Sequence, residues 1–255
     1  MIDVRAGFES ELQRRKLPFT IDSDSGRHAL SIDGGRMLVS LENLEREVAA
    51  DGDAGRIARF IDSIEASAGL DRQTIDTTRL YWCLEPNDHV DKPEIRSELS
   101  NEVDRILCHW SPGPGLISWM SNDELDKAGL DRKTAREMGF ENLSRALSVA
   151  NVSFDEIYGM RLGMLASELP FKSSLILAPN ARTLFEPILG WPLLAVAPDR
   201  DFLYLWDAKH AEFTGRLGGV VVREYENAAY PVSTEVWRID DAGVSAIGAF
   251  PRKPK

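Results

Sequence analysis

Leu193-Leu194-Ala195-Val196-Ala197-Pro198-Asp199-Arg200-Asp201-Phe202-Leu203-Tyr204-Leu205-Trp206 places two apolar runs on either side of a Pro-Asp-Arg-Asp turn. A connection this short joins only antiparallel strands, since parallel neighbours need a long crossover. Neither run alternates apolar with polar residues, so both are expected in the middle of a sheet, covered on both faces. The same arrangement recurs twice. Residues 106–110 and 116–120 flank Pro112-Gly113-Pro114-Gly115, and residues 234–239 and 244–249 flank the turn at 240–243. Three hairpins predict an α+β protein with a mostly antiparallel sheet and flanking helices, unlike the parallel sheet of a doubly wound fold.

Towards the N-terminus, Val4, Phe8 and Leu12 stripe one face of a helix that Pro18 ends. Extended runs at 19–22, 28–32 and 36–40 follow, separated by Asp, Ser and Gly turn residues. Helical spacing returns at Leu41, Leu44 and Val48, and again at Ile57, Phe60, Ile61 and Ile64. A strand over 79–84 leads into Glu85-Pro86-Asn87-Asp88-His89-Val90-Asp91-Lys92-Pro93, polar and bounded by prolines, which reads as a linker. The expected organisation is an N-terminal helix, three-strand meander and helix lobe at 1–86, then a larger α+β lobe at 92–255 built on the hairpins. In the second lobe Ser121 and Glu124 are spaced as a capping box. Leu143, Ala146, Leu147 and Ala150 stripe a helix ending near Asn151. Asn180 caps a helix that Pro187 kinks or stops, and Phe213, Leu217, Val220 and Val221 stripe the last one.

Three segments, taken in order, resemble the YtpQ-like family of bacterial proteins of unknown function. Residues 36–47 are similar to that family's strand running into a Leu-acid-Asn-Leu helix start. Residues 117–147 carry Ser-Asn-Asp-Glu-Leu and Glu-Asn-Leu-Ser-Arg-Ala-Leu, and 174–230 hold Leu-Ala-Val-Ala-Pro-Asp-Arg-Asp-Phe-Leu and Tyr-Pro-Val-Ser. The chain departs from the family pattern at Glu45 and Val48, where aromatics are usual, and at Asp199, where a small polar residue is commoner. The resemblance implies a bacterial origin and brings no reaction, ligand or cofactor. The order helix, three strands, helix also resembles small bacterial secretion-chaperone folds, which bind partners on a sheet face.

The 255 residues are 43% hydrophobic and 28% charged, enough to bury a core. Forty-one acidic against thirty basic residues give a net charge of -11, which repels a phosphate backbone and argues against nucleic acid as a partner. No run approaches the roughly 18 apolar residues that span a bilayer, and no export signal precedes the first helix. The expectation is a cytoplasmic protein with no membrane partner, in which Cys83 and Cys108 are free thiols.

Candidate chemistry is thin. Cys108 and His109 are adjacent, but neighbours on a strand face opposite ways, so a thiolate dyad would need Cys108 or Cys83 with His28, His89 or His210. A buried structural thiol is the simpler reading. Asp199, Asp201 and Asp207 could offer oxygen ligands to a hard cation. Against this, Pro198-Asp199-Arg200-Asp201 reads as a hairpin turn whose carboxylates accept backbone amides and pair with Arg200. No serine elbow, phosphate loop or Cys/His metal spacing is present. Most of the six tryptophans are expected in the core; Trp82 with its neighbour Tyr81 is the pair that an exposed patch would hold if there is one. The missing catalytic signatures favour a protein that binds another protein, chaperone- or adaptor-like, with no cofactor and no metal. The alternative is a hydrolase or metal-assisted enzyme using Cys108-His109 or the Asp199-Arg200-Asp201 turn.

Overall fold

The computed structural model describes residues 2–23, 26–32, 35–68, 75–88, 92–111 and 116–252. The chain divides into two compact units, Met1–Arg72 with Ser111–Leu116, and Gln73–Trp110 with Ile117–Lys255.

In the first unit α1 (Val4–Arg14) starts on Asp3, whose carboxylate accepts the Ala6 N–H at 2.9 Å and so satisfies one of the orphan donors of the first turn. It buries Val4, Phe8 and Leu12, the stripe read from the sequence. Strands β1 (Phe19–Ile21), β2 (His28–Ile32) and β3 (Gly35–Val39) form an antiparallel meander in chain order. Phe19, Leu30 and Met37 stand opposite one another and join the unit's core. Helices α2 (Glu42–Asp51) and α3 (Gly55–Ala68) complete it; Gly52, at φ 72°, ends α2 in the left-handed conformation that only glycine adopts without strain. Arg15 fastens α1 to α3 through Asp62 and Glu65, each at 2.6 Å.

The second unit opens with a 3-10 turn, Thr77–Arg79, and a sheet of β4 (Leu80–Pro86), β5 (Arg96–Glu98), β6 (Val103–Ser111) and β7 (Leu116–Trp119). The order is β4-β6-β5, with β7 also paired to β6; the Pro-Gly turn expected between β6 and β7 lies outside the described residues. Next, α4 (Asn122–Lys127) is opened by the capping box: Ser121 Oγ accepts the Glu124 N–H, and Glu124 accepts the Ser121 N–H. Then come α5 (Arg132–Val149), β8 (Asn151–Ile157), β9 (Met160–Ala166), a 3-10 segment Lys172–Leu177, and α6 (Ala181–Leu189). Last are β10 (Leu193–Val196), β11 (Tyr204–Asp207), a 3-10 segment Ala208–Phe213, α7 (Thr214–Asn227), β12 (Glu235–Asp240) and β13 (Gly243–Ala249).

Six of these strands form one sheet in the order β13-β12-β10-β11-β9-β8, every pairing antiparallel. The unalternating runs are covered on both faces: Leu193, Ala195, Leu205 and Trp237 join a core with α5 and α6, while Leu194, Val196 and Trp206 join Phe213, Leu217 and Val221. The α+β class expected from the hairpins is the class observed.

Several local expectations differ. The packed units part between Arg72 and Gln73 rather than at 86–92, because β4 pairs with β6 along seven residues and belongs to the second unit. Pro187 does not stop α6, which runs on to Leu189. Two further hairpins, β5–β6 and β8–β9, lie outside those expected; the turn of β8–β9 is Tyr158-Gly159, both at positive φ (53° and 77°).

Candidate functional site

Arg200, the centre of the turn that decides the fold, is drawn inward. Its Nη2 donates to Glu85 Oε1 of β4 at 2.5 Å, and its guanidinium stacks on Tyr230 at 4.5 Å. Burial, the largest single influence, works against its charge, but the Glu85 carboxylate together with Cys83 and Cys108 keeps the guanidinium above its ordinary pKa. Arg200 therefore pairs with Glu85, 115 positions away, and not with the aspartates beside it as the turn pattern suggested. Those aspartates serve the backbone. Asp199 accepts the N–H of Asp201 at 2.7 Å and of Tyr230 at 3.4 Å, while desolvation, the larger influence, raises its carboxyl. Asp201 is exposed. Asp207, at the end of β11, pairs with Lys209 at 2.8 Å. Among the described residues no group of three His, Cys, Asp or Glu is placed to hold a metal ion, so the cation reading of Asp199, Asp201 and Asp207 finds no ligand set.

The remaining candidates go into the core. Tyr81 and Trp82 are 7% and 1% exposed, so this pair forms no exposed patch and is core: Tyr81 packs edge-on to Phe171, and Trp82 lies against Phe140 of α5. Cys108 and His109 face opposite ways. The Cys108 thiol is fully buried beside Cys83, donates to the Ile106 carbonyl, and is pushed well above its ordinary pKa by burial first and Cys83 second. His109 is half-buried on the other face and desolvation lowers its pKa. His28 bonds Glu9 and His210 pairs with Glu212; His89 lies outside the described residues. No thiol–imidazole pair is assembled among the described residues.

Two features lie outside what the sequence reading singled out. One is a chain of polar groups at the start of β12. Glu235 is buried and accepts from Ser100 Oγ at 2.7 Å and Ser233 Oγ at 3.1 Å; Ser233 also reaches Glu102, which receives Arg252 at 2.7 Å, and Arg252 donates to Tyr225. Desolvation raises the Glu235 carboxyl against the pull of both hydroxyls. The chain is spread over residues 100–252, too far apart to form a motif.

The other is the edge of the large sheet. β8 pairs with β9 through all seven of its residues and, among the described residues, has no strand on its other side. With a two-residue turn the closing pair Ile157 and Met160 is hydrogen-bonded, so Val152, Phe154 and Glu156 direct their N–H and C=O groups outward. Three large apolar side chains are exposed within residues 149–158: Val149 at 86%, Phe154 at 38% and Tyr158 at 81%. Asp155 and Glu156 make no ion pair with the described residues, while the arginines nearby are engaged: Arg161 stacks on Phe154 and bonds the Ile188 carbonyl, and Arg216 stacks on Tyr158. The opposite edge, β13, exposes one large apolar side chain, Ile247. The alternation Val152-Ser153-Phe154-Asp155 was the signal available; it was obscured by a turn without Asn or Asp. No helix among the described residues is long and apolar enough to cross a membrane.

Comparison of the chain with protein-family models, with curated proteins and with solved structures found no match.

Proposed function

We propose that this is a binding protein that takes an extended, Lys- or Arg-bearing segment of another polypeptide as an added strand on β8. One observation carries the reading: β8 is a seven-residue edge strand whose outward backbone groups meet no strand among the described residues, with Phe154 exposed on it and Val149 and Tyr158 exposed at its two ends. Open edges are ordinarily protected by lysine, proline, a bulge or a covering element, because they template pairing with any passing strand. β8 has no lysine or proline and, among the described residues, no covering strand; its charged side chains are the acids Asp155 and Glu156, which favour a cationic strand over an acidic one. Main-chain bonds would supply affinity and the alternating side chains selectivity, the mode of strand-addition domains. A second copy of this chain fits less well, since each brings a net charge of -11. A cytoplasmic location and membership of the YtpQ-like family belong with this proposal, the latter on the order of its three segments.

The test uses capped hexapeptides that alternate Lys or Glu with Val, titrated into the whole protein while amide hydrogen exchange is followed. The Lys peptide slows exchange at Val152, Phe154 and Glu156, the Glu peptide does not, and Glu156→Pro, which removes one outward N–H without cutting a β8–β9 bond, weakens the effect about tenfold. Unchanged exchange at millimolar Lys peptide, or protection that instead follows protein concentration through a dimer, overturns the reading.

A further inference from the structure

A second site, independent of β8, lies where α5 crosses the smaller sheet of the second unit. In β6, Arg105 stands opposite Leu84 of β4 and Ser97 of β5, on the face that also carries Trp82 and Leu107. Helix α5 lies close on that face, because a Cβ at Gly139 would come within 2.9 Å of Leu107 and 3.0 Å of Trp82. The Trp82 indole donates to the Arg136 carbonyl at 2.9 Å, which fixes that turn of the helix and sets the Arg136 guanidinium over the indole ring at 5.4 Å.

Both arginines thus stand on the Trp82 side of the sheet, close enough for the charge of Arg136 to act on Arg105, and neither makes an ion pair with the described residues, in a chain that has forty-one acidic ones. Arg105 donates Nη2 to Ser97 Oγ at 2.9 Å, but its Nε–H is buried with no acceptor among the described residues. Leaving such a donor unmet costs about 1 to 3 kcal/mol, more for a charged group. Burial first, and the positive charge of Arg136 second, hold Arg105 below its ordinary pKa. A water molecule would satisfy the Nε–H and leave both charges standing.

We infer that Arg105 and Arg136, with the Ser97 hydroxyl as a further donor, form a binding site for a phosphoryl dianion. A dianion matches two cations, and its oxygens accept the forked N–H groups of a guanidinium, whereas a single carboxylate would neutralise one arginine only. The group could come as free phosphate or on a small phosphomonoester. The two sources share this chemistry.

The experiment is a set of melting curves of the whole protein at constant ionic strength in sodium phosphate, phenyl phosphate and sodium chloride, followed by calorimetric titration. Phosphate raises the melting temperature over chloride, and Arg136→Gln, an exposed position whose loss the fold tolerates, weakens binding at least about tenfold. Arg105→Gln abolishes binding and, by removing an unmatched cation, melts no lower than wild type in chloride. Tighter binding of phenyl phosphate assigns an organic monoester; equal binding assigns free phosphate. A phosphate shift no larger than that of chloride, or a full shift retained by Arg136→Gln, overturns the site.

Discussion

Glu235 is satisfied by two hydroxyls and by no cation in direct contact among the described residues, so its buried charge is only partly compensated. Its pKa is raised by desolvation above the ordinary carboxyl value of 4.5, so between the unfolded and the folded value the folded chain holds a proton that the unfolded chain has released. Stability from this group is fully present below pH 4.5 and is lost as pH rises through the folded value. Glu235→Gln keeps an oxygen to accept from Ser100 and Ser233 and never ionises. It should melt about 2 to 4 °C above wild type at neutral pH, the shift that ~1 kcal/mol makes in a domain of this size, and equal it at pH 4. Parallel curves across that range would remove the argument. Nothing in the sequence singled Glu235 out, because its hydroxyl partner Ser100 is 135 positions away. Arg200 was legible as a special residue from its turn, yet its partner Glu85 was not, for the same reason of distance along the chain. A residue's type can be read locally; its partner is set by how sheets stack.

Elements were read most successfully where local chemistry is self-sufficient. Ser121 and Glu124 fix the start of α4 within four residues, and the runs at Leu193 and Leu205 announce a doubly covered hairpin by their lack of alternation. The β8–β9 hairpin was missed because Tyr158 takes a positive φ where Asn or Asp would have marked the turn. Close packing between elements was equally silent. Gly139 looks like a weak point of α5, since glycine costs about 1 kcal/mol against alanine in a helix interior. Its surroundings reverse that expectation: an added Cβ would meet Leu107 at 2.9 Å and the buried Trp82 ring at 3.0 Å. Overpacking costs about 1 to 3 kcal/mol, and Trp82 has little room to retreat, being 1% exposed and tied by its indole to Arg136. Gly139→Ala is therefore expected to destabilise by about 1 to 2 kcal/mol in urea unfolding, the overpacking outweighing the propensity gain. A stabilised variant would mean that α5 lifts freely from the sheet.

At the scale of the molecule, two separate cores raise the question of whether they unfold together. The first unit's core is built around Phe8, Leu12, Leu30 and Ile61; the second holds two clusters on the faces of its large sheet. The division between them was misplaced from the sequence because Pro86 and Pro93 mimic a linker, while the pairing that absorbs β4 joins it to β6 beyond them. All six tryptophans, at 82, 110, 119, 191, 206 and 237, belong to the second unit, so indole fluorescence reports that unit while far-ultraviolet circular dichroism reports both. Phe8 is fully buried and packs against the His28 and Phe60 rings. Truncating a buried phenylalanine costs about 3 to 5 kcal/mol, a large share of what a unit of this size can hold. Phe8→Ala should therefore move the dichroism transition to lower urea and split it in two, while the fluorescence transition keeps its midpoint. Such a split follows if each core is cooperative within itself, the ordinary behaviour of small domains. If instead the fluorescence midpoint falls with the dichroism, the two units form one cooperative system, and the second owes part of its stability to the first.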